Sequence, residues 1–375
     1  MRIAIVSPGF GYGGSYIVAA NIGKALAEKH EVYYEAFRWT TNYSKVPEDR
    51  LHFFGQATGK GRQLRAKLGK AVELLTHKGF TPSKYAVPEL KALLAQIDDH
   101  QIDVVILNTF QSVVRFAEPL HRLRPGIKTI GWLHEATSYS FGALTHNYRA
   151  AFERSLRVLD RIVCLTQADR KRLAKLNADV RVIYNPVALV AHQSADVSSH
   201  AIAFTTRLNI QIKGLDYLVE VANQLPAGWH IELAGQGKPE EEVAFKALLQ
   251  KVEPGKINYR GALSGQALVD HYQRCSMFLS TSRTEALPLV IIEAMSFGLP
   301  VISFAHDGGN EILQDGKFGI LTPIGDVSAM VAAINELADD QAERERLKQA
   351  SLARYQDFKL PTILQNWDQL LEGIL

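Results

Sequence analysis

Two glutamates that stand eight positions apart could carry chemistry in the segment STSRTEALPLVIIEAMSFGLPVISFAHDGGNEILQDGKFG, residues 280–319. Glu285 lies in a predicted loop, whereas Glu293 lies in a predicted helix that is otherwise almost entirely apolar. A buried glutamate is rare unless it has a partner. Carboxylates accept hydrogen bonds from hydroxyl groups, so sugar and ribose hydroxyls are suitable ligands. Taken alone, the pair is equally well explained without a ligand, with Glu285 as an exposed loop residue and Glu293 as a residue that caps a helix.

Two cations precede this segment, in the run TRLNIQIKGLDYLVE, residues 206–220. Arg207 follows a predicted strand, and Lys213 with Gly214 begins the next predicted helix. A guanidinium and an ammonium near the start of a helix can hold the diphosphate of a leaving group. By themselves, two isolated cations in a loop are more often surface charges.

The elements around the two glutamates are predicted from helix and turn signals. A strand over residues 277–280 leads into the loop, a helix begins near Pro288 and spans 289–297, and Gly298 ends it before a strand over 301–304. Proline suits a first helical position, and glycine suits the position after the last. This order indicates a parallel sheet, in which ligands bind at the carboxyl ends of the strands. The first turn of the helix is then suited to bind an anion.

A glycine-rich loop near the start of the chain could also carry chemistry. It lies in a strand–loop–helix–strand run predicted over residues 2–7, 8–14, 15–29 and 31–37. Gly9, Gly11 and Gly14 fit the G-x-G-x-x-G pattern of dinucleotide-binding folds, and Glu35 stands about 20 residues later, where such folds bind ribose. An NAD-dependent oxidoreductase is therefore an alternative function. The Gly13-Gly14 backbone could equally approach the phosphate of a sugar nucleotide, and under either function the loop suits a tight turn.

Two further predicted strands end at polar residues. Residues 103–107 lead to Asn108, and residues 128–134 lead to His134 and Glu135. The carboxyl end of a parallel strand is a common place for functional groups. A lone histidine is nonetheless more often structural.

The segment 280–319 resembles the E-x7-E signature of the large retaining GT-B glycosyltransferase family, the glycosyl transferases group 1 of the glycogen-synthase and bacterial glycan transferase type. The P-V-I-S…G-G-x-E…G-x-x-G run at its end, the run 206–220 and the Gly13-Gly14 pair resemble that family as well. The likeness covers nearly the whole chain and is densest from Arg207 to Gly319. Three positions where the family usually has glycine carry another residue: Pro186, Thr206 and Ala286.

The resemblance implies an α/β fold of the GT-B class, with two Rossmann-like doubly wound domains that face each other across a cleft. The N-terminal Rossmann-like domain, residues 1–190, would bind the acceptor. A linker over 191–200 would join it to the domain that binds the nucleotide sugar, residues 201–355. A C-terminal helix, residues 356–375, would cross back to the N-terminal domain.

The resemblance also implies retaining, metal-independent transfer of a hexose or N-acetylhexosamine from a nucleotide diphosphate sugar, with a UDP-sugar favoured, to an acceptor hydroxyl. The family's arginine and lysine hold the donor diphosphate, and these roles fall on Arg207 and Lys213. Glu285 would hold sugar hydroxyls, Glu293 the ribose, and His134 a sugar hydroxyl or the reacting face of the donor. The acceptor would be a glycan, a lipid-linked molecule or a protein in the synthesis of bacterial cell-surface glycans or glycoconjugates.

The predicted catalytic residues are Glu285, His134, Arg207 and Lys213. The predicted donor-binding residues lie in the glycine-rich loop, after the strands of the second domain and at the central helix: Gly13, Gly14, Arg207, Lys213, Arg260, Gly261, Glu285, Leu287, Leu289, Val290 and Glu293. The sequence has no D-x-D motif and no persuasive cluster of metal-binding residues, so neither a metal nor a cofactor is expected. A non-catalytic GT-B partner within a transferase complex is a second alternative function, and a phosphorylase is a weaker third.

The composition bounds the class of protein. A length of 375 residues is typical of two domains, and a formal net charge of +3 is far from that of a nucleic-acid-binding protein. The 2 cysteines do not suggest a disulfide framework. No stretch approaches the roughly 18–20 apolar residues that span a bilayer, and the first residues lack the pattern of a signal peptide. These features favour a cytoplasmic protein.

One basic stretch, residues 60–78, could hold the protein on the inner face of the cell membrane. Its cations are Lys60, Arg62, Arg65, Lys67, Lys70 and Lys78, and its apolar residues at helical spacing are Leu64, Leu68, Val72 and Leu75. A basic amphipathic helix can lie on an anionic membrane surface. The other interpretation, an ordinary domain helix with a solvated face, is slightly favoured.

Overall fold

A computed structural model describes residues 1–11, 13–54, 60–187, 189, 191 and 193–374, with the backbone alone for residues 60–63. The chain divides into two compact units. Unit 1 consists of Met1–Tyr184 together with Ile363–Leu375, and unit 2 consists of Asn185–Thr362.

Unit 1 is built on a seven-stranded sheet with the order β3-β2-β1-β4-β5-β6-β7. The strands are β1 (Arg2–Ser7), β2 (Glu31–Ala36), β3 (Leu51–Phe53), β4 (Val104–Asn108), β5 (Lys128–Trp132), β6 (Arg161–Cys164) and β7 (Val180–Val182). All the strand pairs are parallel. The strand order changes direction between β1 and β4, and the carboxyl ends of strands at such a switch point commonly bind ligands.

The helices of unit 1 connect these strands. They are α1 (Gly14–Leu26), α2 (Lys60–His77), α3 (Val87–Asp99), α4 (Thr109–Leu123), α5 (Thr137–Tyr139), α6 (Arg149–Arg157) and α7 (Gln167–Leu173). Short 3-10 turns cover Glu48–Arg50, Pro82–Tyr85 and His146–Tyr148, and a π-helical turn covers Ser140–Leu144. Both faces of β1 are covered, since Ala4 and Val6 join the main core whereas Ile5 lies against α1 at Gly23. Burial on both faces explains the continuous apolar run of that strand.

Unit 2 is built on a six-stranded parallel sheet with the order β10-β9-β8-β11-β12-β13. Its strands are β8 (Ala201–Arg207), β9 (His230–Gln236), β10 (Ile257–Tyr259), β11 (Met277–Ser280), β12 (Val301–Phe304) and β13 (Ile320–Thr322). Its helices are α8 (Ile210–Lys213), α9 (Leu215–Ala222), α10 (Pro239–Leu249), α11 (Gln266–Gln273), α12 (Leu289–Ser296), α13 (Asp307–Leu313), α14 (Val327–Asp339) and α15 (Gln341–Tyr355), followed by a 3-10 turn at Gln356–Phe358. The switch point of this sheet lies between β8 and β11.

The last helix, α16 (Leu360–Glu372), packs against unit 1. Trp367 is fully buried, and its ring lies edge-on to that of Trp132 with 4.7 Å between centroids. The Arg161 guanidinium donates hydrogen bonds to the carbonyl oxygens of Leu370 and Gly373, which lack partners inside the helix. Among the described residues, no helix combines the length and the apolar composition needed to cross a membrane.

The prediction of two Rossmann-like, doubly wound units is confirmed. The strands predicted at 2–7, 277–280 and 301–304 have those bounds. The helix predicted over 15–29 begins at Gly14 and ends at Leu26, because the chain turns at Ala27–His30 to enter β2. Pro288 was predicted at a first helical position and instead precedes the helix as its N-cap. Two residues of the predicted linker bond within unit 2, since the Ala195 amide donates to Phe297 and the Val197 carbonyl accepts from Arg344.

Candidate active site

The switch point of unit 2 brings together two of the predicted catalytic residues. Lys213 ends α8, which follows β8, and Glu285 lies in the loop that follows β11. The Lys213 ammonium donates a hydrogen bond to Glu285 Oε1, and the Ser282 hydroxyl donates to the same oxygen at 3.0 Å. Lys213 is only 9% exposed, so the ion pair is largely withdrawn from solvent. Since an unpaired buried charge is strongly unfavourable, each group requires the other or a charged ligand.

Glycine at position 214 explains how these two segments approach so closely. Gly214 adopts a left-handed conformation with φ of 60°, which favours glycine. A Cβ atom there would lie 2.1 Å from the carbonyl oxygen of Thr281. The Thr281 hydroxyl also donates to the Lys213 carbonyl at 2.9 Å. The backbone of α8 is thereby held against the loop that carries Glu285.

A second ion pair fixes the same two segments. Arg283 binds Asp216 through two hydrogen bonds, Nη1 to Oδ1 at 2.9 Å and Nη2 to Oδ2 at 2.6 Å. Its guanidinium lies 4.0 Å from the ring centroid of Tyr217, and its amide donates to the carbonyl of Ile212. Two-point binding of a guanidinium is rigid, so Arg283 fixes the loop that carries Glu285 through Asp216.

The electrostatics of Glu285 keep its carboxylate ionised. Burial alone would raise its pKa, but the Lys213 ammonium, the hydrogen bonds and His306 together hold that pKa below its usual range. His306 is buried, which lowers the pKa of its imidazole to about 4 and keeps it neutral. Its Nδ1 accepts from the Gly309 amide at 3.0 Å, so the ring proton lies on Nε2. Nε2 has no partner among the described residues and could donate to a ligand.

Glu293 lies on the second turn of α12 and has a different environment. Its Oε2 accepts a hydrogen bond from the Tyr272 hydroxyl at 3.0 Å, and Tyr272 is fully buried. Burial raises the pKa of Glu293 to about 7, and the Tyr272 bond offsets only part of that effect. A carboxyl of this kind can exchange hydrogen bonds with a diol such as ribose.

The N-terminus of α12 is available for an anion. No side chain caps it, and its first turn has no acidic residue. The N–H groups of that turn include those of Leu289 and Val290, both half-buried, while Leu287 before them is buried. The loop packs tightly here, since a Cβ atom on Gly308 would lie 2.5 Å from the carbonyl oxygen of Ala286. Backbone donors and the helix dipole therefore point to the same end of the sheet as Lys213.

In the part of the chain that the structure describes, neither Arg207 nor Arg260 bonds to the Lys213–Glu285 pair. Arg207 ends β8 and is exposed, and within the described residues it forms no ion pair. The Arg260 guanidinium binds Glu232, with Nε to Oε2 at 2.6 Å and Nη2 to Oε1 at 3.1 Å. Any contact of the Arg260–Gly261 segment with a donor would therefore involve its backbone, which turns at Gly261 with φ of 70°.

The remaining predicted residues belong to unit 1. His134 follows β5, and its Nε2 lies 2.7 Å from Asn108 Oδ1. The Asn108 amide in turn donates to the Ser7 hydroxyl at 3.1 Å, so three neighbouring strand ends are joined. Burial lowers the pKa of His134 to about 3, which keeps the ring neutral at physiological pH. Gly13 precedes α1 with φ of 153°, and Gly14 is the first residue of that helix.

The pattern that suggested a dinucleotide site has a packing explanation. A Cβ atom on Gly9 would lie 2.6 Å from Thr40 Oγ1, and one on Gly11 would lie 3.2 Å from Thr40 Cβ. Glu35 is buried, with Oε1 3.0 Å from His52 Nδ1. These contacts account for Gly9, Gly11 and the buried position of Glu35 without a nicotinamide cofactor, whereas a Cβ atom on Gly14 would meet no atom within 4 Å.

His306, Arg283 and Asp216 were not predicted as site residues. His306 lies two residues after the end of β12, and its place at the carboxyl end of a strand was the available signal. No spacing rule links Arg283 to Asp216, which are 67 positions apart. Within the described part of the chain, no group of three or more histidine, cysteine, aspartate or glutamate residues could hold a metal ion.

Comparison with known proteins identifies the family of both units. Residues 12–190 match the model for Glycosyltransferase Family 4, and residues 199–340 match that for Glycosyl transferases group 1. An uncharacterized glycosyltransferase of Haemophilus influenzae is 25% identical over 75% of this chain and 79% of its own length. The N-acetyl-alpha-D-glucosaminyl L-malate synthase of Bacillus anthracis is 23% identical over 97% of this chain and 94% of its own.

Solved structures share the fold over the full length. The crystal structure of the Anabaena protein Alr3699/HepE in complex with UDP superposes with a TM-score of 0.80 at 19% identity, covering 100% of both chains. The GT-B fold is thus confirmed, and the two family models together match well over half of the chain. The chain is a glycosyltransferase that combines a Glycosyltransferase Family 4 domain, residues 12–190, with a Glycosyl transferases group 1 domain, residues 199–340.

Proposed function

We propose that the protein transfers a hexose or N-acetylhexosamine from a UDP-sugar to an acceptor hydroxyl, with retention at the anomeric carbon and without a metal. The observation that carries this proposal is the withdrawn Lys213–Glu285 pair at the switch point of unit 2, beside the uncapped N-terminus of α12. The Anabaena structures contain UDP, UDP with glucose, and UDP-glucose, which supports UDP as the nucleotide.

The main physical demand of this reaction is stabilisation of the leaving group. Departure of UDP increases the negative charge on the β-phosphate, and fixed cationic or dipolar groups lower the barrier if they are already in place. Lys213 retains two N–H donors beyond the one directed at Glu285. In the proposal Lys213, Arg207 and the amides of Leu289 and Val290 bind the diphosphate, so a divalent cation is not required.

The remaining predicted residues have roles consistent with their environments. Glu285 is ionised and accepts hydrogen bonds from sugar hydroxyls, and Glu293 binds the ribose diol beside Tyr272. His134 is neutral and bonded toward Asn108, as suits a group that contacts a sugar hydroxyl rather than a charged phosphate. Retention could follow a double displacement or same-face attack. Same-face attack, in which the leaving phosphate accepts the proton of the acceptor hydroxyl, is the proposed route because no residue is a secure nucleophile.

The acceptor is proposed to be a glycan, a lipid-linked molecule or a protein used in the synthesis of bacterial surface glycans. Relatives of this chain include a lipopolysaccharide core biosynthesis glycosyltransferase of Rhizobium meliloti and an amylovoran biosynthesis glycosyltransferase of Erwinia amylovora. Both names concern bacterial polysaccharides, which supports this class of acceptor.

Peripheral membrane contact through α2 is part of the proposal. The apolar stripe of this helix faces solvent: Leu64 is 59% exposed, Leu68 59%, Val72 58% and Leu75 85%. Arg65 and Lys67 beside it are also exposed, while the side chains of Lys60 and Arg62 lie outside the described residues. An ordinary domain helix would bury its apolar stripe. The exposed stripe with basic flanks instead suits an anionic bilayer surface.

A panel of nucleotides tests the donor class. The melting temperature is measured with UDP, GDP, ADP and NAD in the presence of EDTA, followed by hydrolysis of the matching sugar nucleotides. We expect stabilisation by UDP and slow release of UDP from one UDP-sugar. Stabilisation by GDP or ADP alone would contradict the UDP assignment, and activity that appears only when a divalent metal is restored would contradict the metal-free mechanism.

A further inference from the structure

A group of cations in unit 1 lacks the partners that other cations of the unit have. Most arginines of unit 1 bind a carboxylate, as Arg124 binds Asp98 and Arg154 binds Glu118. Within the described residues, Arg38, Arg115 and Lys70 form no ion pair. Arg115 and Lys70 are nonetheless half-buried. A half-buried cation without a counter-charge is unfavourable, and its presence requires an explanation.

The three cations lie on three different segments of the chain. Arg115 lies on α4, with its guanidinium 5.1 Å from the ring centroid of Phe37, and Arg38 is the next residue after Phe37. Lys70 lies on α2, with its ammonium 5.4 Å from the Phe80 ring. The only hydrogen bond of the Arg115 guanidinium in the described residues is to the Gln111 carbonyl at 2.8 Å. The guanidinium thus has further N–H donors for a ligand.

The charges of this group act on one another. Burial lowers the pKa of Arg115, and the Arg38 charge lowers it further, an effect larger than the opposing effect of Glu89. Burial likewise lowers the pKa of Lys70, with a further decrease from Arg115. The like charges are therefore close enough to repel, and the protein without a ligand bears that cost.

The group lies at the switch point of the sheet of unit 1. Arg38 follows β2, and Arg115 is on the helix that follows β4. Tyr16, on the helix after β1, lies within electrostatic range of both Arg38 and Glu135, and Tyr148 lies within range of both Arg115 and Glu135. Glu135 immediately follows His134, so the cations and the predicted sugar-contacting histidine share one end of the sheet.

We propose that Arg38, Arg115 and Lys70 bind a phosphate or diphosphate group of the acceptor. This inference rests on the proposed transferase function and specifies the acceptor as a phosphorylated molecule. Guanidinium groups suit the task because their paired N–H donors match phosphate oxygens. The two tyrosine hydroxyls and Glu135, whose Oε2 is buried without a described partner, would lie toward the sugar end of such an acceptor.

The test uses the full chain saturated with UDP, so that the donor site of unit 2 is occupied. Inorganic pyrophosphate is titrated by calorimetry at fixed ionic strength into the wild type, Arg115→Gln, Arg38→Gln and Arg122→Gln. Arg122 is exposed on the same helix as Arg115 and serves as the control for loss of one positive charge. We expect each of the first two substitutions to weaken pyrophosphate binding at least about 10-fold, as the loss of a charge-assisted bond does, and Arg122→Gln to leave it within about 2-fold.

Two results would overturn the inference. One is the absence of pyrophosphate binding to the UDP-saturated wild type, and the other is equal binding by Arg115→Gln, Arg38→Gln and Arg122→Gln. Arg38 is exposed, so its variant remains informative if Arg115→Gln does not fold. UDP affinity, measured in parallel, reports on the donor site of unit 2 separately and distinguishes a failure there from a failure here.

A competition arm identifies the source of the phosphate. Geranyl diphosphate and glucose 1-phosphate are each added to the wild-type complex with pyrophosphate. Stronger displacement by geranyl diphosphate would indicate a lipid-linked acceptor, and stronger displacement by glucose 1-phosphate a sugar phosphate. Failure of both to displace pyrophosphate would contradict the assignment to an acceptor group.

Discussion

At the scale of single residues, two glutamates of one signature have opposite electrostatic environments. Glu285 is ionised because the Lys213 ammonium, aided by the Ser282 hydroxyl, outweighs the effect of its burial. Glu293 is only about half ionised at pH 7, because burial raises its pKa to about 7 and its bonded partner is an uncharged phenol. Their spacing in sequence predicted that both would act on a ligand, but it could not predict this difference, because the cations and tyrosine that cause it come from other segments.

The raised pKa of Glu293 predicts a dependence of stability on pH. In the folded protein Glu293 stays protonated up to about pH 7, whereas in the unfolded chain it loses its proton near 4.5. The folded protein binds more protons between these values, so the free energy of unfolding falls as pH rises from about 4.5 to about 7. Glu293→Gln cannot ionise and should raise the melting temperature of the ligand-free protein at pH 8 by roughly 2 °C or more, with no such gain at pH 4.5.

The control for this measurement is Glu240→Gln, an exposed residue at the start of α10. It should leave the difference between pH 8 and pH 4.5 unchanged. Glu135 in unit 1 has a similarly raised pKa, so both variants keep the part of the pH dependence that Glu135 causes. An equal gain for Glu293→Gln at both pH values would show that Glu293 is not protonated in the folded protein.

At the scale of elements, α8 and the loop after β11 act as one support for the site. Gly214 permits their contact, Arg283 and Asp216 bind them together, and Lys213 and Glu285 are the functional result. The K-G-x-D run was visible in the sequence. Its partner segment lies about 70 positions further along the chain, so the contact depends on strand order, which local patterns do not determine.

This support predicts that Gly214→Ala is far more damaging than an ordinary glycine substitution. The new Cβ would combine an unfavourable φ with a clash of 2.1 Å against the Thr281 carbonyl oxygen, so α8 must move away from the loop. We expect a melting temperature lowered by about 5 °C or more and a weakened UDP affinity. Gly255→Ala is the matched control, since Gly255 has a φ of 83° but no atom within 4 Å of the new Cβ.

Gly255→Ala should incur only the cost of the left-handed conformation, about 1–2 kcal/mol, and should leave UDP affinity unchanged. Equal losses in the two variants would mean that the close approach at Gly214 does not hold the site.

For helix α2, the spacing of apolar residues predicts the helix but not what covers its apolar face. The spacing of its apolar residues predicted an amphipathic helix, and the structure has that helix. Periodicity cannot decide whether the apolar face meets a core, a membrane or another protein, because all three bury it. The structure leaves the stripe exposed, which disfavours the ordinary domain helix that the sequence slightly favoured.

At the scale of the whole molecule, the two units separate the tasks that a transferase must perform. Unit 2 holds the predicted diphosphate and ribose contacts, whereas unit 1 holds His134, the cations proposed for the acceptor, and α2. The parallel α/β order followed from strands such as β1, β4 and β11, which are short, apolar and followed by a helix, and the GT-B class followed from the family resemblance. The family resemblance implied a C-terminal helix, residues 356–375, that crosses back to the N-terminal domain. In the structure residues 363–375 belong to unit 1, where Trp367 packs against Trp132.

Membrane contact is a property of the whole molecule that vesicle sedimentation can measure. We expect the wild type to sediment with vesicles containing about one-third phosphatidylglycerol and to be released by high salt. Leu75→Asp should reduce the membrane partition coefficient about 10-fold or more, because burial of one leucine contributes about 1.5–3 kcal/mol. Val243→Asp in unit 2, a site that is 70% exposed, is the control and should bind as the wild type does.

Equal binding by Leu75→Asp and Val243→Asp would exclude α2 as the contact. Binding to vesicles of phosphatidylcholine alone, unaffected by salt, would contradict the role of the basic flanks.

In the proposed mechanism Lys213 stabilises the departing diphosphate, and turnover of the Lys213→Ala variant tests this role. The kcat for UDP release is measured in EDTA with the sugar nucleotide that the wild type uses, for the wild type, Lys213→Ala and the exposed control Lys251→Ala. We predict that kcat falls about 10²–10³-fold in Lys213→Ala, as when one preorganised donor to a developing anion is removed, and is unchanged in Lys251→Ala. A wild-type kcat in Lys213→Ala would show that Lys213 does not stabilise the departing diphosphate.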